Sequence, residues 1–474
     1  MVRYFFLAIT AVFAVTADGQ PLFQLDSLKK KTQYFLENHP TEKVYVHFDK
    51  SFYALGEDCW YKAYVVRSSD LGHTDISSVL YLDWIDPSGK IVKHQRLKIV
   101  NGGATGDFRI DTTLDVGIYS VKAYTNWMRN TDPGLFFSKK IRVVKTTISQ
   151  PGAQEVTVTP RIDLQFFPEG GTFVEGIKTR LAFKAIDQQG RGVEVKGKIV
   201  DDRNRMVTRF PSSHNGMGVL PFIGDSRKLF RAVLEDGQVH SLPVPSQTGI
   251  TLAASNLKSD KISLEIQSTN TGDTVYLIGV SRGSIYYAQH FRLSNAVKNI
   301  SISKNELPEG ILQFTLFNRE GVPVCERMLF IRKNDQTDVN ITSDKEQYRP
   351  RDSVTLRVRI DGVKADSTSS FSVSITDADI AIHDNNAGNI YTQLLLQSDL
   401  KGNVEDPGWY FALPTMDRVY ALDLVMLTHG WARYNWKKIQ STESDVVPFF
   451  AERGISLQGQ IFAKNNPVAN KPFT

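Results

Sequence analysis

A chain of 474 residues is longer than one hydrophobic core usually grows, so roughly three to five domains of about 100 residues are expected. Aromatic residues at 11%, plentiful β-branched residues and the lack of any low-complexity tract exclude a disordered or fibrous protein. A net charge of +5, with 56 basic and 51 acidic residues and no basic stripe interleaved with aromatics, argues against nucleic acid as a partner.

The N-terminus, MVRYFFLAITAVFAVTADGQ, has one Arg, an apolar run from Tyr4 to Val15 and then small residues. That is the layout of a cleaved secretory signal over residues 1–19, too short to span a membrane comfortably. Ala17 and Gly19 suit a cut before Gln20, and a cut after Ala17 competes with it. No Cys lies near either cut, so a lipoprotein anchor is not indicated, and no later segment reaches ~18 uninterrupted apolar residues. An exported product without an integral membrane segment is expected. Its two cysteines, Cys59 and Cys325, are too few for a disulfide scaffold. They are expected as buried, unpaired thiols, a bridge being open to them only if their domains dock.

Residues 20–40 show a rough helical pattern ending at Pro40, read as a leader helix packing on the first domain. From 41 to 145 strand-like runs alternate with turn signals such as DPSGK, NGGATG and DVG every eight to twelve residues, the rhythm of an antiparallel sandwich. A Pro/Gly/Ser/Thr-rich linker follows. Residues 161–245 form a second such unit, with Pro168-Glu169-Gly170-Gly171 as a structural turn. The third, 249–333, closes on a hairpin with Arg319-Glu320-Gly321 at its turn. The fourth, 338–450, begins with strands and then carries two helical stretches, IYTQLLLQSDLKG and MDRVYALDLVMLTHGWARYNW, which read as a lid on that unit's core or, as the alternative, a docking surface. In the second stretch Val419, Leu422, Val425 and Leu427 mark one apolar face. Residues 454–474 begin another β-unit that is too short to stand alone. The fold class is therefore all-β, a tandem of antiparallel β-sandwiches with a few helices inserted in the last full one.

One phrase occurs twice. D-K-x-x-Y-x-x-x-[D/E] places Asp49, Lys50, Tyr53 and Glu57 in the first unit and Asp344, Lys345, Tyr348 and Asp352 in the fourth, each time between two strand-like runs. Duplication argues for a structural corner rather than a catalytic Lys50–Glu57 pair, because one shape is needed at both places. No H-E-x-x-H, G-x-S-x-G, nucleotide-binding glycine loop or C-x-x-C occurs. The best chemical cluster is Asp377, Asp379, His383 and Asp384, which lacks the ligand count and the Gly of a calcium loop and reads as a strand exit. No catalytic, cofactor-binding or metal residue is assigned, and no enzyme activity is expected.

The two openings, VYVHFDKSFYALGEDCWYKAYVV and VNITSDKEQYRPRDSVTLRVRI, resemble the start of the macroglobulin-type β-sandwich of alpha-2-macroglobulins and their bacterial relatives. Leu55 stands where that pattern has Pro, and Arg351 where it has Gly. QFFPEGGTFVEG, LFNREGVPVCERMLFI, SDLKG and ALDLVMLTHGWARYNW are similar to stretches of large Gram-negative envelope proteins that continue into a carboxypeptidase-regulatory-like β-domain and a TonB-dependent receptor plug-like domain. By that resemblance, 454–474 is the start of the regulatory-like domain. Neither cysteine lies in a Cys-Gly-Glu-Gln thioester, so no thioester is expected. The resemblance implies a non-enzymatic binding or scaffold array in the periplasm, associated with an outer-membrane complex through protein partners. The front part of a TonB-dependent transport component and a thioester-less protease-interacting protein stand as alternatives.

Overall fold

The computed structural model describes residues 24–145, 161–257, 260–333, 338–362, 370–377, 384–430, 436–440 and 447–454, with the short pairs 462–463 and 466–467. Three β-sandwiches follow one another. The first holds β1 (Glu42–Phe48), β2 (Phe52–Ala54), β3 (Asp58–Arg67), β4 (Val79–Ile85), β5 (Ile91–Lys98), β6 (Gly103–Arg109), β7 (Gly117–Thr125) and β8 (Phe137–Val144). Its sheets are β1-β3-β6 and β2-β8-β7-β4-β5. Alternation dictates which side is core: Val44, Val46 and Phe48 on β1 face inward with Cys59, Tyr61, Ala63 and Val65 on β3. Trp84 sits between Phe48 and Phe108, with ring centroids 6.0 and 4.6 Å away.

The second sandwich holds β9 (Asp163–Pro168), β10 (Lys178–Ile186), β11 (Lys196–Val200), β12 (Met206–Pro211), β13 (Met217–Ile223), β14 (Arg231–Leu234) and β15 (Val239–Ser241). It pairs them as β13-β10-β9 and β12-β11-β14-β15 around Phe183 and Phe210. The third is built from β16 (Ile250–Ser255), β17 (Lys261–Ser268), β18 (Thr274–Ser281), β19 (Ser284–Arg292), β20 (Val297–Ser303), β21 (Gly310–Phe317) and β22 (Pro323–Ile331). Its sheets are β16-β17-β20 and β19-β18-β21-β22. In the closing hairpin the Asn318 carboxamide accepts from the Glu320 and Val322 amides at 3.1 and 2.9 Å, and Gly321 supplies the positive φ of 79°.

Two helices explain why β18 and β21 are buried on both faces. The leader helix α1 (Leu25–Asn38) lies on the third sandwich, where Leu28 and Leu36 meet Tyr276, Ile278, Val280 and Phe317. The expectation that it packs on the first sandwich is corrected: that sandwich already buries its apolar faces internally, whereas the outer face of β18 is left apolar by its own sequence.

The fourth unit also differs from expectation. Among the described residues its strands are β23 (Val339–Ser343) and β24 (Leu356–Ile360), a two-stranded antiparallel ladder. The following helices are α2 (Ile390–Leu395), α3 (Trp409–Ala412), α4 (Met416–Thr428) and α5 (Trp436–Gln440). They are not a lid on that ladder. The stretch α2 to α4 fills the seam between sandwiches two and three, against Met217, Ile311, Met328 and Phe330, and α5 joins α1 on the third sandwich. Because α4 is wedged between two sandwiches, its second half from Ala421 on is buried nearly all round, Leu424 and Met426 included, rather than along the single expected face. Residues 447–454 then return to sandwich one, where the Ser78 amide donates to the Glu452 carbonyl at 2.6 Å and the Asn130 carboxamide exchanges two hydrogen bonds with the Phe449 backbone.

Candidate functional site

The duplicated phrase folds into the same corner twice. In the first copy Asp49 Oδ1 accepts from the Tyr53 hydroxyl at 2.6 Å and the Trp60 amide at 2.9 Å, while Glu57 Oε2 accepts from Lys50 Nζ at 2.8 Å and the Ala54 amide at 2.9 Å. In the second, Asp344 Oδ1 accepts from the Tyr348 hydroxyl at 2.5 Å and the Thr355 amide at 3.0 Å, and Asp352 Oδ2 accepts from the Arg349 amide at 3.0 Å with Lys345 Nζ 3.8 Å away. In both copies one oxygen of each carboxylate accepts two of the bonds, or one bond and a nearby ammonium, that close the corner between two strands, so the motif works as a fold element.

Of the acidic cluster, Asp379 and His383 lie outside the described residues. Asp377 lies in an exposed extended stretch, and Asp384 Oδ1 accepts from the Asn386 amide at 2.9 Å in the turn before α2. Among the described residues no group of three or more His, Cys, Asp or Glu is placed to hold a metal ion. Cys59 and Cys325 are buried in the cores of different sandwiches, neither bonded to sulfur, and burial pushes both thiols up, Cys59 to about 12 and Cys325 to about 11.

What the tertiary structure adds is a cleft and the charged seam that fixes its walls. The cleft, about 1080 Å3, lies between β8 of sandwich one, the outer face of β9 and β10 of sandwich two, and the turns flanking α2 and α4. Lys184 on β10 and His429 at the end of α4 meet on its wall. Lys184 Nζ lies 3.1 Å from His429 Nε2, which is also 3.3 Å from the Asn403 carbonyl, and His429 Nδ1 is 3.1 Å from the Val425 carbonyl. Burial, then the neighbouring Lys184 ammonium, bring His429 down to about 4, and burial lowers Lys184 as well. Across the cleft, Lys401 Nζ is 2.7 Å from Asp132 of sandwich one.

Two buried ionic contacts hold the walls. Lys43 Nζ on β1 donates to Asp399 Oδ2 at 2.8 Å and the Leu394 carbonyl at 2.5 Å, joining sandwich one to the end of α2. Four charges meet where sandwich two, sandwich three and α4 converge. Arg327 Nε is 2.7 Å from Glu169 Oε1, and its Nη2 is 2.5 Å from Asp423 Oδ1. Arg180 Nη2 is 2.7 Å from Asp423 Oδ2, and the Ala254 amide donates to Glu169 Oε1 at 3.2 Å. Burial alone would raise the Asp423 carboxyl, yet Arg327 and Arg180 hold it below the usual carboxylate range. The Pro168-Glu169-Gly170-Gly171 turn is thus more than a turn. Gly170, at φ 76°, brings the chain so close to sandwich three that a Cβ there would lie 2.5 Å from the Leu252 carbonyl oxygen. Sequence reading placed Glu169 only in a structural turn and missed the roles of Arg180, Arg327 and Asp423; the available signal was a charge embedded in an apolar run, Arg327 in CERMLFI and Asp423 in ALDLVMLT.

No family model and no curated protein matches the chain. Among solved structures, Escherichia coli alpha-2-macroglobulin in its native conformation is 13% identical with a TM-score of 0.20, over 68% of this chain and 25% of that one. Salmonella alpha-2-macroglobulin reacted with methylamine gives 13% and 0.20 over 67% and 25%. A tetra-tandem repeat from the extending region of a large adhesion protein gives 12% and 0.18 over 68% and 88%. The chain spans about a quarter of the length of these two macroglobulins, and at such TM-scores the likeness carries neither family nor function.

Proposed function

We propose that the chain is an exported, non-enzymatic binding array of the bacterial envelope, built of macroglobulin-like sandwiches and acting by holding protein partners in a rigid interdomain cleft. The observation that carries this reading is the cleft together with its bracing. Its walls come from three parts of the chain and are fixed by the Lys43–Asp399 pair and the Arg327–Glu169–Asp423–Arg180 cluster, while its surface offers amides, charges of both signs and aromatic rings. The secretory layout of residues 1–19 and the twice-written sandwich opening support export and the macroglobulin-like assignment. A photo-crosslinking residue at Gln189, on the cleft rim, in the full chain within its native cell should yield an adduct with a defined envelope protein. The same group at Leu229, remote from the cleft lining, should not. Equal yields from both positions, or recovery of the chain from the cytoplasmic fraction, would sink the reading.

A further inference from the structure

Strand β8 is not paired evenly along its length. β7 pairs with it from Phe137 to Val143, but on the other side β2 reaches only Arg142, Val143 and Val144. Among the described residues, the stretch from Phe137 to Ile141 therefore keeps an open edge. The cleft runs along that edge: Phe136, Phe137, Ser138, Lys139 and Lys140 all line it, and consecutive strand residues point to opposite faces. Only a cavity following the edge itself meets both sets. β9 lines the same cleft differently, through Asp163, Gln165 and Phe167 alone, the alternate positions of one face.

Opposite β8, Gln393 of α2 reaches the cleft while only 7% exposed, and its carboxamide has no hydrogen-bond partner among the described residues. That carboxamide faces the cleft rather than the closed core, so a ligand there can reach both its donor and its acceptor. Some of the charges lining the cleft are paired: Lys401 with Asp132 and Arg191 with Asp187, while Glu405 accepts from the Gly192 amide at 2.7 Å. Lys140 and Lys184 set against Asp163 and Asp406 leave both signs on the walls, which suits a segment without a strong net charge.

We propose that this cleft receives an extended, polar, near-neutral polypeptide segment of a partner, which adds as a strand to the open edge of β8 at Phe137–Ile141 and hydrogen-bonds Gln393 through a peptide group. The inference rests on the binding-array reading and names the partner chemistry of its cleft. A strand edge is a template for main-chain pairing, which a sugar does not use.

The test selects a displayed random octapeptide library on the full chain, then measures the best peptide, with blocked ends, by fluorescence anisotropy. Methylating alternate peptide nitrogens should weaken binding about tenfold or more while the interleaved positions tolerate it, the signature of a strand paired on one edge. The peptide should slow amide exchange at Phe137–Ile141 of the unaltered chain, and Gln393→Leu should weaken binding about tenfold. Because Gln393→Leu is a buried change, the exchange measurement on unaltered protein decides if that variant misfolds. Selection of no peptide, uniform sensitivity to methylation, or Gln393-dependent binding of an oligosaccharide instead would overturn the inference. A peptide that protects another edge, such as β5, overturns this site and leaves the binding array standing; failure here together with absence of any Gln189 adduct removes both.

Discussion

Asp49 and Asp344 perform the same hydrogen bonding in very different surroundings. Tyr53, which donates to Asp49, is fully buried at 0% exposure, whereas Asp344 and its corner lie at the surface. Asp49→Ala should therefore cost about 2–4 kcal/mol, since it strands a buried hydroxyl and an amide, and Asp344→Ala about 1 kcal/mol or less. Urea denaturation of both variants checks this, and equal losses would contradict the burial argument. His429 gives a pH dependence. Its folded value of about 4 lies below the ordinary 6.5, so the unfolded chain takes up the proton first. Its contribution is intact above pH 6.5 and is lost as the pH falls toward 4, on the order of 3 kcal/mol. His429→Gln should flatten the fall in urea midpoint between pH 7 and pH 4.5 relative to the parent; an unchanged slope would exclude His429 as its source.

At the scale of elements, exposure separates the two copies of the sandwich opening. Val44 and Val46 on β1 are core, while the matching Val339 and Ile341 on β23 are 59% and 54% exposed. The residue pattern is the same; among the described residues, only the first copy has a second sheet packed on it. Helix α1 shows the converse. Its own pattern is a modest apolar stripe, and what makes it stable is the apolar outer face of β18 and β21 together with Trp436 and Ile439 of α5. Leu28→Ala, at a site 1% exposed, should cost about 2–5 kcal/mol of docking. Trypsin should then cut at Lys29, Lys30 and Lys31 much faster in the folded protein, and unchanged cleavage would mean that α1 is held by something other than this contact.

Across the whole molecule, buried charge decides whether the sandwiches act as beads or as one body. Asp423→Asn leaves the buried Arg327 and the half-buried Arg180 with half their compensation, a loss of about 3–5 kcal/mol, most of it from Arg327. It should also uncouple the seam: calorimetry should show sandwiches two and three melting together in the parent and apart in the variant. Restoring a single transition by adding Arg327→Met to Asp423→Asn would identify the unpaired cation as the cause. A single unaltered transition in Asp423→Asn would show that apolar packing of α4 against Met217, Met328 and Phe330 suffices.

The sequence by itself determined the all-β class, the rhythm of strands and turns and the repeated corner, because these are local: alternation assigns faces, Gly and Asn make turns, and Asp49, Tyr53 and Glu57 close their bonds within a few residues of one another. The helices of 390–428 were legible as helices for the same reason, through their apolar runs. Where they dock was not. The cleft, the pairing of Lys43 with Asp399 and the meeting of Glu169, Arg180, Arg327 and Asp423 join residues far apart in the chain. No periodicity encodes such meetings, since which charge faces which is set only when the sandwiches pack and exclude water between them.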